Sequence, residues 1–459
     1  MSGCCGPAAV EPEFGRQSEQ IGSLPIAVIG AGPIGLAAAA HLTERGLGFV
    51  VLEAGERAGA SVAQWGHVRL FSPWKYDIDP AARRLLEAAG WSAPDPEWLP
   101  TGAELIDGYL APLAGLFGDR IRTGAKVTAI SRLGYDRVRT AGREQAPFLI
   151  RLADGSELHA RAVIDASGTY ATPNVLGASG LPARGEADAE DLIDPALPDV
   201  LGADRHRYEG RHVLVIGAGH SAATTLLGLA ELEDTAITWA IRAGDPARTY
   251  GGGDADALPA RGALGTRLHA HVESGRIRLL TGFFTHAIER EGTQARVISR
   301  APSGHERSVP ADRIVAATGY RPDHTIAAEL RLDLDPVLGS TRALAPLIDP
   351  NRHSCGTVPP HGAGELAHPE PGYYAIGVKS YGRAPTFLLA TGYEQARSVV
   401  AALAGDWEAA RNVQLDLPAT GVCSSSLAEA QEQRAGLAAG IRGGLLPLAD
   451  ASAGGGCCG

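Results

Sequence analysis

The residues in this chain that point most directly to chemistry are two glycine-rich segments of the same pattern. Residues 30–35 read G-x-G-x-x-G and residues 217–222 read G-x-G-x-x-A, and each follows a short apolar run and opens a helix-forming stretch. In such a segment the first glycine permits a tight turn, the second lets the backbone approach a pyrophosphate, and the small last residue lets helix and strand pack closely. The pyrophosphate is then held at the helix N-terminus, where free N–H groups and the helix dipole favour an anion. Two such segments predict two bound nucleotides, with electrons passing between them.

The residue that follows the next apolar strand differs between the two segments. The apolar strand at residues 49–52 is followed by Glu53. Counted from Gly30, this position is close to the spacing of roughly 20 residues at which an acid binds the ribose hydroxyls of a dinucleotide. An acid at this position repels a 2′-phosphate. The first segment therefore fits a nucleotide without that phosphate, either NAD or the AMP half of FAD. Residues 236–241 are followed instead by Arg242, and a cation at that place suits the 2′-phosphate of NADPH. The alternatives are a ligand-free glycine turn in the first segment and a surface arginine at a strand end in the second.

Neighbouring residues in the two turns complete the first set of candidates. Ser221 is expected to hydrogen-bond the second nucleotide, whereas His220 in the same turn is also explained as a surface residue at a helix start. The predicted nucleotide contacts in and behind the two segments are Gly30, Gly32, Pro33, Ile34, Gly35, Glu53, Gly217, Gly219, His220, Ser221 and Arg242.

The length and composition of the chain limit the class of protein to which it can belong. A chain of 459 residues, 45% of them hydrophobic, is long enough for two globular domains with tails. The net charge of −11 indicates no basic patch for nucleic acid. The apolar stretches are well short of the roughly 20 residues of a membrane span, and the N-terminus lacks the features of an export signal. We therefore expect a soluble cytoplasmic enzyme that acts on a small molecule, either alone or as a homo-oligomer.

The order of strands and helices predicts an α/β fold with two Rossmann-like dinucleotide-binding domains. A late strand at 373–377 and a helix at 386–404 still have to complete the first domain, so the NADPH domain is expected to be inserted into the FAD domain. Residues 146–157 are expected to form a hairpin with a D-G turn, and residues 178–205 a connecting loop. The predicted ranges are 1–24 for a cysteine-containing tail, 25–205 and 311–415 for the FAD-binding domain, 206–310 for the NADPH-binding domain, and 416–459 for a second, cysteine-ending tail.

Over about residues 25–410 this arrangement resembles the two-dinucleotide-binding flavoprotein superfamily. That superfamily includes thioredoxin-reductase-like proteins, disulfide reductases and flavin-containing monooxygenases, and the resemblance implies FAD and NADPH as cofactors. The small-residue turns at 165–168 and 317–322 are similar to the turns that join the two domains near the cofactors. The resemblance adds these predicted cofactor contacts: Ala166, Gly168, Thr318, Gly319 and Gly377.

Within the superfamily, this chain resembles the flavin-containing monooxygenases more than the disulfide reductases. Disulfide reductases carry a C-x-x-C or C-x₄-C pair facing the flavin, and no two of the six cysteines have that spacing. Residues 65–74 resemble the aromatic, Ser-Pro-containing stretch that covers the isoalloxazine in the monooxygenases, which implies flavin contacts from Trp65, Ser72 and Pro73. The F-x-G-x-x-x-H signature that precedes the second glycine segment in that branch is absent, so plain reductase or oxidase activity stays open.

Two cations lie between the late strand and the last helix. In the superfamily the N-terminus of that helix points at the flavin pyrimidine and stabilises charge on the reduced ring. The resemblance therefore makes Lys379 and Arg383 candidates for a catalytic electrostatic role. A solvated basic loop is the alternative.

Four of the six cysteines form two vicinal pairs, one in each glycine-containing tail. Vicinal thiolates suit thiophilic ions such as As(III), Hg(II) or Cu(I), and flexible tails could carry them toward the active site. The remaining two cysteines could complete a three-thiolate As(III) site. The alternatives are incidental tail cysteines and small buried hydrophobes. The predicted metal-binding residues are Cys4, Cys5, Cys355, Cys423, Cys457 and Cys458.

These features predict a flavoprotein oxidoreductase of the monooxygenase type, with molecular oxygen as co-substrate. The cysteine-bearing tails on a monooxygenase-like body resemble the flavin monooxygenases associated with arsenic resistance, which implies oxidation of trivalent arsenicals as a detoxification reaction. Two alternatives stay open. One is a flavin monooxygenase that hydroxylates nitrogen or sulfur of a small metabolite. The other is a thiol-rich, metal-binding flavoprotein similar to the mercuric reductases.

Overall fold

The computed structural model describes residues 22–253, 256, 258–352, 358–385 and 387–415. The strands in these residues are β1 Ile26–Ile29, β2 Phe49–Leu52, β3 Ile121–Arg122, β4 Val127–Arg132, β5 Phe148–Leu152, β6 Glu157–Ala160, β7 Ala162–Asp165, β8 Ile193–Pro195, β9 His212–Ile216, β10 Ala236–Ala240, β11 Arg278–Leu280, β12 Thr285–Glu291, β13 Gln294–Arg300, β14 Glu306–Ala311, β15 Arg313–Ala316 and β16 Tyr373–Ala375. The α-helices are α1 Pro33–Glu44, α2 Ala60–Ala63, α3 Trp74–Asp77, α4 Pro80–Ala88, α5 Gly102–Leu105, α6 Ala111–Phe117, α7 Arg205–Tyr208, α8 His220–Ala230, α9 Ala247–Tyr250, α10 Pro259–Glu273, α11 Ala345–Ile348, α12 Ala363–Leu366, α13 Leu389–Leu403 and α14 Trp407–Arg411.

The first sheet is parallel throughout and has the strand order β16-β7-β1-β2-β3. Its central strand β1 is buried along its whole length, as expected for an apolar strand covered on both faces. The strand β16, which comes late in the chain, pairs with β7 at one edge of this sheet. The predicted completion of the first domain by a late strand is therefore confirmed, and so is the insertion of the second domain.

The second sheet is also parallel and has the order β11-β10-β9-β15-β8. In both sheets the strand that leads into a glycine segment lies at the centre, with its successor on one side and a strand from later in the chain on the other. Each unit also carries a three-stranded antiparallel sheet, formed by β4-β5-β6 in the first and β12-β13-β14 in the second. The two units thus share one plan, and the predicted α/β fold with two Rossmann-like domains is confirmed.

Close packing of small residues joins the helices of the first unit to its sheet. The alanine-rich α1 is buried from Ile34 to Leu42, and it lies between the first sheet and α13. A Cβ atom added to Gly392 of α13 would lie 2.4 Å from Ile34 Cδ1, so a larger residue there would have to displace the Ile34 side chain. The helix predicted over 386–404 is confirmed as α13, which begins at Leu389, and Thr386 lies outside the described residues.

Two smaller predictions have different outcomes. The predicted hairpin is confirmed, because β5 and β6 pair antiparallel and Gly155 in the D-G turn has φ +85°. The connecting loop predicted over 178–205 is wrong, because it contains a 3₁₀ helix at Ala187–Leu192 and the strand β8. That strand pairs with β15 at the edge of the second sheet. A three-residue strand that contains an aspartate and a proline has no apolar pattern of its own, and only the tertiary pairing makes it a strand.

Within the described part of the chain, no helix has the length and apolar character needed to cross a membrane. All six cysteines predicted to bind metal lie outside the described residues. The two predicted tails, 1–24 and 416–459, fall almost wholly outside them as well.

Candidate dinucleotide and substrate site

The first glycine segment forms a tight turn between β1 and α1. Gly30 has φ +95°, and a Cβ atom there would lie 2.8 Å from the carbonyl oxygen of Ala166. A Cβ atom on Gly35 would lie 2.0 Å from the carbonyl oxygen of Gly30, so strand and helix approach too closely for a side chain. A Cβ atom on Gly32 would meet nothing within 4 Å, which leaves an open face beside the N-terminus of α1. The structure thus gives the three glycines the separate roles that the pattern predicts.

Glu53 lies at the end of β2 and is tied to the first turn. Its carboxylate accepts hydrogen bonds from the N–H of Ala31 and the N–H of Gly55, both at 2.7 Å. Each carboxylate oxygen has a further lone pair, so Glu53 can still accept hydrogen bonds from ribose hydroxyls. Pro33 occupies the first position of α1, where its missing N–H is not needed, while Ile34 is buried against α13 and acts in packing.

The second glycine segment repeats this geometry between β9 and α8. Gly217 has φ +138°, and a Cβ atom there would lie 2.0 Å from the carbonyl oxygen of Ala317. A Cβ atom on Gly219 would meet nothing within 4 Å, and Ala222 is fully buried. The indole N–H of Trp239 donates to the carbonyl oxygen of Gly217 at 2.7 Å and fixes the turn from behind.

The N-termini of α1 and α8 both begin at a glycine and carry no side-chain cap. The first N–H groups of a helix have no partner within the helix, so an uncapped start that faces open space is suited to an anion. The open faces at Gly32 and Gly219 therefore fit the pyrophosphate groups of two dinucleotides.

The polar candidates around the second turn have different surroundings. Arg242 is exposed just past the end of β10, and its guanidinium donates to the carbonyl oxygen of Ala178 at 3.1 Å. The remaining donors of that guanidinium can meet a phosphate at the same strand end. His220 is accessible to solvent, yet the protein atoms around the imidazole and the nearby Arg261 lower its pKa. Ser221 is half-buried in the first turn of α8.

The two chain segments that connect the units run side by side. Asn174 donates to the carbonyl oxygen of Thr318 at 3.0 Å and accepts from the Thr318 hydroxyl at 2.9 Å. Gly319 has φ +82°, and its carbonyl oxygen accepts from the N–H of Asn174 at 2.9 Å. Thr318 and Gly319, predicted as cofactor contacts, therefore hold the two connecting segments together. On the same crossing the rings of Tyr170 and Tyr320 stack with their centroids 5.1 Å apart.

Lys379 is buried in an ion pair rather than solvated in a basic loop. Only 1% of its surface is exposed, and its Nζ donates to Asp165 Oδ2 at 2.6 Å and to the Ser167 hydroxyl at 3.0 Å. The hydroxyl of Tyr373 donates to the same Asp165 oxygen at 3.0 Å. Burial alone would raise the pKa of Asp165, but the Lys379 ammonium and the hydrogen bonds outweigh it and lower that pKa. This network fixes the turn after β7, which contains Ala166 and Gly168.

The other predicted residues of this segment lie on either side of that network. Gly377 has φ +73° and donates its N–H to Gln395 of α13 at 2.7 Å. Gly168, with φ +71°, faces Val378, whose Cγ1 is 4.0 Å from where a Cβ atom would be. Arg383 is exposed. The structure therefore separates the two catalytic candidates, because Lys379 has buried partners and Arg383 lies at the surface.

The aromatic stretch at residues 65–74 lies along the first unit and reaches the second. Trp65 packs on Gly102, where a Cβ atom would lie 2.9 Å from the indole ring. Pro73 precedes the short helix α3, and the Ser72 hydroxyl donates to Asp77 Oδ1 at 2.7 Å. The ring of Phe71 lies 5.1 Å from the imidazole of His220, measured between centroids. This contact brings the predicted flavin-covering stretch against the second nucleotide turn.

Asp77 is a residue of the site that the sequence did not indicate. It is 1% exposed, and its Oδ2 atom has no hydrogen-bond partner among the described residues. Burial raises its pKa to about 7, and the Ser72 hydrogen bond opposes this shift. The segment D-I-D-P contains Asp77 and Asp79, and Asp79 caps the N-terminus of α4. The sequence alone therefore does not show which aspartate caps the helix and which one is buried.

Comparison with known proteins identifies the class to which this arrangement belongs. The family model of the pyridine nucleotide-disulphide oxidoreductases matches residues 27–338, and the chain belongs to this family. A curated relative is the indole-3-pyruvate monooxygenase YUCCA1 of Oryza sativa subsp. japonica, which is 29% identical over 204 residues. That match covers 44% of this chain and spans 44% of the relative, less than half of its length.

Solved structures share the fold over most of this chain. Bacillithiol disulfide reductase Bdr from Bacillus cereus matches with a TM-score of 0.59 and 18% identity, covering 83% of this chain and 99% of that one. The ornithine N-hydroxylase of Kutzneria sp. 744 matches with a TM-score of 0.56 and 17% identity, covering 84% and 99%. The flavin-containing monooxygenase from Stenotrophomonas maltophilia matches with a TM-score of 0.54 and 20% identity, covering 83% and 98%.

The family and the fold confirm the coarse predictions made from the sequence. The chain is an oxidoreductase enzyme of the pyridine nucleotide-disulphide oxidoreductase family, and its cofactors are FAD and NADPH. The residue-level assignments of cofactor contacts stay predictions, and they agree with the open, uncapped turns at Gly32 and Gly219.

Proposed function

We propose that this chain is an FAD-dependent, NADPH-oxidising monooxygenase whose substrate is a trivalent arsenical, and that it acts in arsenic detoxification. The observation that carries the substrate assignment is the vicinal cysteine pair that recurs in both terminal segments, Cys4-Cys5 and Cys457-Cys458. Thiolates in this arrangement are soft ligands of the kind that As(III) prefers. Such thiols persist in a reducing compartment, which makes the cytoplasm the proposed location.

The site residues have distinct tasks in this proposal. Glu53 accepts hydrogen bonds from the ribose of the FAD adenosine, and Arg242 pairs with the 2′-phosphate of NADPH. The uncapped N-termini of α1 and α8 hold the two pyrophosphates. The bound FAD supplies the hydride and oxygen chemistry.

The stretch at residues 65–74 shields this chemistry from water. Its contact with the second unit through Phe71 and His220 keeps the two cofactor sites against each other. Excluding water favours transfer of oxygen to the substrate over its unproductive loss as hydrogen peroxide. The buried pair of Lys379 and Asp165 positions the turn that contains Gly168. We propose an electrostatic role near the flavin for Arg383, which is exposed, and for Lys379 through its buried charge.

Aerobic NADPH consumption by the FAD-loaded enzyme, with and without arsenite or a trivalent organoarsenical, tests this function. The expected result is arsenical-dependent NADPH loss, with a pentavalent arsenic product in chromatographic speciation. Unchanged NADPH consumption and unoxidised arsenic would contradict it. Replacing the four tail cysteines by serine should weaken the response to low arsenical concentrations. Replacing Ser156, an exposed residue in the turn between β5 and β6, by alanine is the control.

A second candidate function is hydroxylation of nitrogen or sulfur in a small metabolite. The fold shared with the ornithine N-hydroxylase and the partial match to a plant monooxygenase favour it. In that case removal of the tail cysteines leaves turnover unchanged, and an amine or sulfide accelerates NADPH oxidation where arsenite does not. A thiol-rich metal-binding flavoprotein would instead bind As(III) or Hg(II) stoichiometrically without any change in NADPH consumption.

A further inference from the structure

A chain of buried hydrogen bonds fixes the turn at Gly377, which is a predicted cofactor contact. Gly377 has φ +73°, and a Cβ atom there would lie 3.3 Å from Ile34 Cγ1, so the turn packs against the first turn of α1. Its N–H donates to Gln395 Oε1 at 2.7 Å, and its carbonyl oxygen accepts from the Ser380 hydroxyl at 2.7 Å. The position of this turn therefore depends on one amide side chain of α13 and on one hydroxyl of the 3₁₀ helix at Gly377–Tyr381.

The amide of Gln395 is fixed from its other side by a histidine. Its Nε2 atom lies 2.9 Å from His361 Nε2 and also donates to the Ser380 hydroxyl oxygen at 2.9 Å. His361 Nδ1 lies 3.1 Å from the carbonyl oxygen of Pro359. A carbonyl oxygen can only accept, so Nδ1 carries a proton, and Nε2 of the neutral ring accepts from Gln395. Gln395 is 0% exposed and His361 is 3% exposed, so solvent does not replace these partners.

The direction of these bonds is compatible with only one protonation state of His361. A second proton on the ring would place its Nε2–H opposite the NH₂ group of Gln395, and two donors do not form a hydrogen bond. Rotating the amide by half a turn would give His361 an acceptor, but it would turn the NH₂ group toward the N–H of Gly377. Either arrangement leaves a buried donor without an acceptor, which is costly. A proton on His361 therefore disrupts the contact that fixes the Gly377 turn.

The surroundings of His361 favour its neutral form. The elements around it, α12, α13 and the 3₁₀ helix, carry these titratable or charged groups: Glu365, Glu394 with its partner Arg397, Lys379 with its partner Asp165, and Tyr381. Burial lowers the pKa of His361, and the Pro359 carbonyl and the two glutamates oppose this shift only in part. The neutral ring that the hydrogen bonds require is thus also the form present at pH 7.

We propose that His361 and Gln395 are positioning residues that keep the Gly377 turn in the form that binds FAD, and that a proton on His361 releases this turn. The FAD-bound state then keeps His361 neutral, whereas the turn without FAD tolerates the proton. Because the bound state takes up this proton less readily, the affinity for FAD is constant above about pH 6.5 and falls as the pH decreases below it. This role concerns the cofactor alone, so its failure leaves the proposed substrate untouched.

Dilution of the FAD-loaded enzyme between about pH 8 and pH 5, with the fluorescence of released flavin as readout, tests this inference. The wild-type dissociation constant for FAD is expected to rise about tenfold from pH 6.5 to pH 5. His361→Gln keeps an acceptor for the Gln395 amide but takes up no proton, so its constant should vary less than about threefold over this range. His305→Gln, which removes an exposed histidine of the second unit, is the control and should keep the wild-type loss in acid.

Two substitutions of Gln395 separate this role from simple packing. Gln395→Glu provides a carboxylate that accepts from both Gly377 and a protonated His361, so it should bind FAD at pH 5 as tightly as at pH 8. Gln395→Leu removes both contacts and should weaken FAD binding about tenfold at every pH. Loss of FAD to the same extent in both variants, or an acid loss that persists in His361→Gln, would overturn the proposal. Far-UV circular dichroism establishes that each variant is folded, and either His361→Gln or Gln395→Glu alone decides the outcome.

Discussion

The two glycine turns have nearly the same backbone and opposite charges behind them. Gly30 and Gly217 both have a positive φ and both lie against a backbone carbonyl oxygen of the neighbouring strand's extension. Behind the first turn, Glu53 is bound by two backbone N–H groups at 2.7 Å. Behind the second, Arg242 is exposed and makes one contact with a backbone carbonyl. We propose that the fold supplies a pyrophosphate site twice, and that the residue after the next strand selects the nucleotide.

The difference also separates a fixed site from an adaptable one. Glu53 is held in the first unit's loop network before any ligand binds, which suits a cofactor that stays bound through many turnovers. Arg242 keeps most of its donors available, which suits a nucleotide that binds and leaves in every cycle. Substitutions in the two turns and at the two charges distinguish the fixed site from the adaptable one.

Adding a methyl group to either turn is expected to have the largest effect. In Gly217→Ala the Cβ atom would lie 2.0 Å from the Ala317 carbonyl oxygen, and in Gly30→Ala it would lie 2.8 Å from the Ala166 carbonyl oxygen. Backbone atoms cannot move away as a side chain can. We expect Gly30→Ala to purify without flavin, and Gly217→Ala to keep its flavin but lose NADPH oxidation at least a hundredfold. Flavin absorbance and steady-state kinetics measure both.

Two other glycines provide matched controls for the turn variants. Gly46 and Gly275 have φ of +64° and +76°, and a Cβ atom at either would meet nothing within 4 Å. Their alanine variants carry the cost of a left-handed residue, about 1 kcal/mol, without a clash. If these controls lost their cofactors as fully as the turn variants, the close approach of each turn to the neighbouring backbone carbonyl would not be the cause.

Removing the cation behind the second turn is expected to have the next largest effect. Arg242→Ala should raise the KM for NADPH about 10- to 100-fold, because a charge-assisted hydrogen bond to phosphate is lost. The KM for NADH, which lacks the 2′-phosphate, should change less than about twofold. Arg267→Ala, at an exposed arginine of α10, is the control. Equal losses for NADPH and NADH would show that Arg242 does not read the 2′-phosphate.

Neutralising the acid behind the first turn is expected to weaken FAD binding about tenfold. Glu53→Gln leaves one of the N–H groups of Ala31 and Gly55 facing an amide NH₂ group, which cannot accept a hydrogen bond. The free energy of unfolding should fall by about 1–3 kcal/mol. Equilibrium dialysis of FAD and chemical denaturation measure the two effects. Glu56→Gln removes an exposed charge nearby and should change neither.

The smallest effect is expected at His220. The protein atoms around its solvent-accessible imidazole and the nearby Arg261 lower the pKa of that ring, so it is neutral at pH 7 and above and adds no charge to the proposed phosphate site. His220→Asn should therefore change the KM for NADPH less than about threefold at pH 8. Because the folded state binds this proton less readily than the unfolded chain, the wild-type enzyme should lose stability relative to His220→Asn as the pH falls below about 6.5. A difference in unfolding free energy between the two proteins that does not change with pH would contradict this expectation.

The sequence predicted the elements whose signal is local. The apolar strands β1, β2 and β9 and the glycine turns appear as predicted because strand, turn and helix are encoded within about ten consecutive residues. The late strand β16 was also predictable, because an unpaired apolar strand after a complete second unit has to join the first sheet.

The parts that the sequence did not reveal depend on distant contacts. The strand β8 forms because β15 offers an edge, and its own residues carry no strand pattern. The pairing of Lys379 with Asp165 requires β7 and β16 to lie side by side, so the sequence left Lys379 between an electrostatic role at the flavin and a solvated basic loop. The same reason hid Asp77, since its burial comes from α13 and from Leu258 of the other unit.

The side-by-side connecting segments have a consequence for the order of folding. Tyr373 meets Asp165 across 208 residues of sequence, a distance over which closing a loop is slow and costs entropy. Asn174 and Thr318, which are 144 residues apart, are brought together when the inserted unit folds. The inserted unit thereby removes most of the loop that separates the two strands of the first sheet. We expect the second unit to fold first, and the first unit to depend on it for the closure of its own sheet.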